Sequence, residues 1–209
     1  HTMLATASSI VTAGGIPVPV DIGDDNLIDP EAIADAITPR TVGIMPTQLN
    51  GRICDMDKIC AIAEQNGLFL IEDAAQALGA RYKGASAGSF GLAGSFSFFP
   101  AKVMGCLGDG GAVVSNDSEF FERIFQLHDH GRAKNGDVLC WGRNSRLDNL
   151  QAAILRYKLR CYTDVISRRR DIARKYHEQL HDIEMLRLPP DPDADAERFD
   201  VYQNYELCA

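Results

Sequence analysis

Residues 93–111 read AGSFSFFPAKVMGCLGDGG, and a single lysine, Lys102, stands there between an aromatic run and a glycine-rich turn. Alternation in SFSFF places Ser95, Ser97 and Phe99 on one face of a strand and Phe96 and Phe98 on the other. Pro100 ends that strand, so Lys102 falls in the turn that follows. A lysine in a semi-apolar pocket has a lowered pKa, because burial disfavours the ammonium form. Its neutral amine can then condense with an aldehyde as a Schiff base. The plain alternative is a lysine whose stem is buried while its charge reaches solvent. Spacing alone leaves both open.

A second stretch, LFLIEDAAQ (68–76), is an apolar run that ends in two acids. In an open α/β sheet, ligands gather at the carboxyl ends of the strands, where Glu72 and Asp73 fall. Asp73 can also simply cap a following helix. In a helix beginning there, Gln76 shares a face with Asp73, or it is an ordinary exposed glutamine. GDGG (108–111) lacks the G-x-G-x-x-G spacing of a dinucleotide loop and precedes a strand, so it reads as a tight turn leading out of the lysine segment.

The surrounding pattern must hold these residues. Helices are expected over 4–13, 29–37, 55–67, 147–159 and 164–180, with a further helix after Asp117. Strands are expected over 16–22, 41–49, 68–74, 94–99 and 111–115. Strand and helix alternate through the first half, which implies an α/β fold with helices covering a largely parallel sheet. Residues 187–200 are proline-rich and acidic, so a boundary is placed near residue 185. Residues 1–184 then form one large domain, and 185–209 a linker with the beginning of a smaller one. The last residues, VYQNYELCA, look like a strand cut short. Both ends read as internal, and the chain is expected to be part of a longer protein.

Composition narrows the function. The 209 residues carry a net charge of -8, which argues against a nucleic-acid or anionic-membrane binder. No apolar run reaches membrane length and no leader pattern is visible. The six cysteines include no C-x-x-C pair or zinc spacing. They read as reduced thiols of a cytoplasmic protein with no metal.

In order along the chain, EDAAQALGARYKG, GSFSFFPAK and GDGGAVV resemble the DegT/DnrJ/EryC1/StrS family of pyridoxal-phosphate-dependent sugar aminotransferases. The likeness extends through GRNSRLDNLQAAIL and the upstream DPEAIADAITPRT. It covers nearly the whole chain and is thinnest over 183–200. The resemblance implies the fold type I architecture, with pyridoxal 5'-phosphate (PLP) as cofactor. It implies transfer of an amino group from an amino acid, glutamate being the expected donor, to a nucleotide-linked keto sugar.

The same resemblance implies residue roles. Lys102 holds the cofactor covalently and then moves the proton between substrate and cofactor. Asp73 pairs with the pyridine nitrogen and keeps the ring protonated. Gln76 contacts the ring hydroxyl, and Ser97 donates to the phosphate. Asn144 and Arg146, in GRNSRLD, belong to an element that reaches across a homodimer, so that each active site is shared. Arg146 and His130 fall near the substrate. Met3 stands where relatives carry an aromatic residue against the ring.

Ordinary readings remain beside these. Ser97 can bond a backbone partner, Met3 can be a core methionine, and His130 can end a helix and offset its dipole. Arg146 would start a long helix, which the dipole disfavours. The segment PTQLNGR departs from many relatives and leaves substrate choice open. The family's small-residue phosphate turn and most of its C-terminal domain have no counterpart here, so weak cofactor binding is expected. Two rivals share the fold. A pyridoxamine-phosphate-dependent sugar dehydratase would carry His at the lysine position, and a non-catalytic regulatory protein would be expected to lose Lys102 or Asp73.

Overall fold

A computed structural model describes residues 1–209. In chain order the helices are α1 (Leu4–Thr12), α2 (Pro30–Ala36), α3 (Met56–Gln65), α4 (Ser118–His128), α5 (Asn149–Leu159) and α6 (Tyr162–Leu180). The strands are β1 (Gly43–Ile44), β2 (Phe69–Asp73), β3 (Arg81–Tyr82), β4 (Ala85–Ser86), β5 (Ala93–Ser97), β6 (Gly111–Val114) and β7 (Arg198–Phe199). The main sheet has the order β1-β2-β5-β6. β1, β2 and β5 run parallel, and β6 returns antiparallel to β5. It is the expected α/β arrangement, a mostly parallel sheet with helices against it.

Three helices start where their aspartates say they should. Asp29 accepts from the Glu31 N–H ahead of Pro30, Asp55 from Lys58 and Asp117 from Phe120, so each side chain pairs a donor the helix leaves free. α3 buries Met56, Ile59 and Ala63, one stripe at helical spacing. That stripe packs with Ile44, Leu49, Ile53 and Leu70 in the core, which α6 closes from another side through Tyr162 and Ile166.

Four expectations are corrected. Residues 16–22 form no strand, and only Ile22 makes a bridge, to Ile28. Pro17 and Pro19 have no N–H to give a ladder. The 41–49 strand shortens to β1 plus a bridge from Thr47 to Asp73, followed by a 3-10 turn at Leu49–Gly51. No helix follows Asp73. Residues 74–80 make two successive turns, with Ala77 bonded to Ala74 and Ala80 to Ala77. VYQNYELCA is not a strand either, and only Cys208 pairs, with Arg187.

One feature was not foreseen. Lys83 and Gly84, both at positive φ, turn β3 into β4, and β7 joins the far side of β3. The chain after β7 lies on the body of the molecule. Val201 is fully buried and donates to the Gly51 carbonyl, and Asp200 meets Arg52 at 2.6 Å.

Candidate active site

Strand alternation sends the two neighbouring acids of β2 to different places. Glu72 is fully buried, and its carboxylate accepts from Gln48 Nε2 (2.8 Å), the Gly88 N–H (2.9 Å) and the Phe90 N–H (2.7 Å). It holds the loop before β5 onto the sheet. Asp73 sits at the carboxyl end of the strand and is half-buried. Its Oδ1 accepts from the Ala75 N–H at 3.1 Å, and its Oδ2 from the Thr6 hydroxyl at 2.6 Å.

Thr6 was not singled out from the sequence. It is buried, and Thr2 Oγ1 lies 2.7 Å from its hydroxyl and 2.8 Å from that of Thr47. The i, i+4 spacing of Thr2 and Thr6 beside a helix start was the available signal. Thr6 is the only buried residue of α1, whose Leu4 and Val11 face solvent, so the threonine chain, with a 3.9 Å contact from Ser9 Oγ to Met45 Sδ, ties α1 to the sheet. Thr6→Val should therefore release α1 first. Amide exchange of Leu4–Thr12 should accelerate about tenfold or more, as loss of a hydrogen bond to a charged group implies, while β2 stays protected. Unchanged α1 protection would refute this.

Lys102 lies in the turn that leaves β5. Its N–H donates to the Phe99 carbonyl at 2.9 Å, and the Cys106 N–H returns to the Phe98 carbonyl at 2.8 Å. The turn closes tightly at Gly105, where any Cβ would stand 2.5 Å from the Pro100 carbonyl oxygen. Phe98 is buried beneath it, as the alternation predicts, and Phe99 is exposed. The side chain of Lys102 is half-buried. Burial draws its pKa below the ordinary lysine value, and the charge of Asp73 acts on it in the opposite sense. The turn follows β5, whose Ser95 is the register partner of Asp73 on β2.

The remaining candidates divide into two groups. In the first, the Gln76 carbonyl oxygen accepts from the Asn50 N–H at 2.6 Å, which leaves its NH₂ group without a protein partner. Ser97 Oγ accepts from the Phe99 N–H at 3.3 Å, so it shapes the lysine turn while its hydroxyl hydrogen stays uncommitted. Met3 precedes α1 and is 63% exposed, which removes its reading as a core methionine.

The second group is held by its own contacts. Arg146 Nε donates to Asn144 Oδ1 at 3.0 Å, and its Nη1 meets Asp129 Oδ1 at 3.3 Å. Asp129 and Asn144 form a β-bridge, and the His130 N–H donates to the Arg143 carbonyl. No hydrogen bond joins this group to Asp73 or Lys102 within the chain. Here the expected position of His130 is corrected. α4 ends at His128 with Asp129 as its C-cap, and His130 lies beyond it at φ +59, exposed, so it is not the helix's last residue. Arg146 precedes α5 rather than beginning it, with Asp148 as the flanking residue.

Residues 1–207 match the DegT/DnrJ/EryC1/StrS aminotransferase family. The chain belongs to that family. It is 44% identical over 190 residues to the erythromycin biosynthesis sensory transduction protein EryC1 of Saccharopolyspora erythraea, covering 90% of this chain and 52% of that one. It is 41% identical over 197 residues to a dTDP-3-amino-3,4,6-trideoxy-alpha-D-glucose transaminase of Streptomyces venezuelae, covering 92% and 52%. Among solved structures, DesV of S. venezuelae superposes with a TM-score of 0.93 at 38% identity, over 99% of this chain and 55% of that one. The chain thus spans about half the length of the curated relatives it matches, and it has the fold type I architecture.

The DegT/DnrJ/EryC1/StrS family uses PLP, and the residues of this chain fit that group. An amine with a lowered pKa is available to its aldehyde. A carboxylate held by Thr6 and Ala75 is available to its ring nitrogen. Neither side chain is consumed by an ion pair with the other or with a third residue.

Proposed function

We propose that the chain carries the PLP-binding part of an aminotransferase that moves an amino group from an amino acid, glutamate as the expected donor, to a nucleotide-linked keto sugar. The observation that carries this reading is the pairing of β2 with β5, which sets Asp73 at the carboxyl end of one strand beside the strand whose exit turn carries the half-buried Lys102. Similarity to a nucleotide-sugar transaminase supports the choice of acceptor.

When bound, PLP supplies the electron sink that stabilises negative charge on the substrate carbon. The chain's own residues then have separable tasks. Lys102 would hold the cofactor through Nζ, and the same nitrogen would hold or move a proton at the substrate. Asp73, its carboxylate directed by Thr6, would pair with the ring nitrogen and favour its protonated form. Gln76 offers its NH₂ group to the ring hydroxyl, Ser97 its O–H to the phosphate, and Met3 its thioether to a ring face. Asn144, His130 and Arg146 act across a homodimer, Asn144 toward the partner's phosphate and the other two toward substrate.

Residues 185–209 are proposed to lead into a smaller second domain. A cytoplasmic location is proposed from six unpaired cysteines, and no helix is long and apolar enough to cross a membrane. The dehydratase and regulatory readings gain nothing from a chain that keeps both Lys102 and Asp73.

The test is chemical. The protein is incubated with PLP, reduced with borohydride and digested, and the peptide bearing the pyridoxyl mass is located. The label is expected on Lys102 and is expected to vanish in Lys102→Ala. A label spread over surface lysines, with Lys102 bare, would overturn the assignment. Screening nucleotide keto-sugars with glutamate by mass spectrometry then tests the acceptor.

A further inference from the structure

We infer that Gln203 is a positioning residue for Lys102, gripping the peptide groups on both sides of the lysine with one side-chain amide. Gln203 Oε1 accepts from the Val103 N–H at 2.8 Å, and Gln203 Nε2 donates to the Ala101 carbonyl at 3.0 Å. These are the only side-chain hydrogen bonds that reach residues 101–103. Apart from them, residues 101–103 have the one bond from the Lys102 N–H to Phe99. A two-point grip fixes both the place and the rotation of the peptide between which the lysine stem emerges. A single bond would leave the rotation free.

The grip is itself anchored toward the other half of the site. The Gln203 N–H donates to the Asn50 carbonyl at 2.8 Å, and the Gln203 carbonyl accepts from Arg169 Nη1 at 3.3 Å. The Asn50 N–H in turn donates to Gln76, and the Gln48 N–H to the Asp73 carbonyl. Gln203 thus joins the turn that carries the amine to the loop that holds the strand end carrying the carboxylate. Tyr202, just before it, sits at φ +49 with its hydroxyl on the Pro190 carbonyl, so the segment arrives in a defined conformation. The side chain that sets the lysine comes from the stretch after the acidic linker, where no chemistry was expected.

This inference rests on Lys102 being the reactive amine, and its test needs no cofactor. The pH profile of Lys102 acetylation by acetic anhydride is followed by peptide mass spectrometry. In the wild type the midpoint lies below that of exposed lysines, because the amine is held in a partly buried compartment. In Gln203→Met, which keeps the length and removes both hydrogen bonds, the turn loosens and the amine reaches water. The midpoint is expected to rise by about one pH unit, a tenfold smaller free-amine fraction at neutral pH. Asn204→Ala, which alters a neighbour that touches Asn50 and not the lysine turn, should leave it in place.

An unchanged midpoint in a folded Gln203→Met protein would overturn the inference. Should that variant fail to fold, amide exchange of the wild type decides. The Val103 amide must be protected, and fast exchange there would overturn the inference equally. If PLP does not label Lys102 while the midpoint still moves, the cofactor reading falls and the positioning role stands. If PLP labels Lys102 and the midpoint is unmoved, the positioning role falls alone.

Discussion

Glu72→Ala is expected to cost about 3 kcal/mol or more of folding stability, since it strands three donors at roughly 1–3 kcal/mol each. The carboxylate is fully inaccessible, and it meets three donors from two separate segments. Removing it strands the N–H groups of Gly88 and Phe90 and leaves the Gln48 amide only the Met56 sulfur, at 3.3 Å. The neighbouring packing cannot relax to compensate. Gly88 is at φ +84, and a Cβ on Gly94 would stand 2.3 Å from the Gly88 Cα, so loop and strand are already in contact. Glu72→Gln should also destabilise, though less. Its carbonyl can serve one donor, but its NH₂ then faces another. Gln48 cannot turn round to help, because its Oε1 already accepts from the Cys54 N–H. Urea unfolding checks both variants. A loss under about 0.5 kcal/mol in Glu72→Ala, the ordinary scatter of surface substitutions, would show that the network is not supporting the loop.

This pair of acids shows which parts of the molecule could be read from the sequence. The end of an apolar run marked residues 72 and 73 as strand-end carboxylates, and helical patterns beginning at 29, 55 and after 117 marked three helix starts, each of which an aspartate caps in the structure, because those signals are local. What separates Glu72 from Asp73 is their distant partners. Glu72 is matched by N–H groups of a loop whose path the local pattern does not specify. Asp73 is matched by Thr6, a residue type too common to stand out. The alanine-rich AAQALGA looks helical by propensity, yet the structure turns there. Gly79 adopts φ +87, and a Cβ on it would stand 2.7 Å from Ile166 Cδ1, so the segment is bent to let α6 pack against it. The β3–β4 hairpin was missed for a similar reason. Its strands are two residues each, and its outer partner β7 comes from the proline-rich, acidic stretch that composition marks as a linker.

For the chemistry itself, the decisive substitution is Asp73→Asn. Asparagine keeps the shape, and its carbonyl can still accept from the Ala75 N–H, so the fold and the cofactor's place should survive. The negative charge is lost. An opposite charge at contact distance raises a cation's pKa by about 1–3 units, so the ring nitrogen should lose its proton in most molecules, and amino transfer should slow about 10- to 1,000-fold. PLP occupancy should change by much less than that. Lys102 supplies a control with the opposite sign. Asp73 raises the pKa of Lys102 against the lowering effect of burial, so removing its charge should lower that pKa further. More free amine is then present at any pH below the midpoint, and acetylation of Lys102 should become faster while turnover becomes slower. The two effects diverge only if the carboxylate acts on the ring nitrogen rather than through the lysine. Parallel loss of PLP occupancy and turnover, with an unmoved Lys102 profile, would mean that Asp73 merely holds the site together.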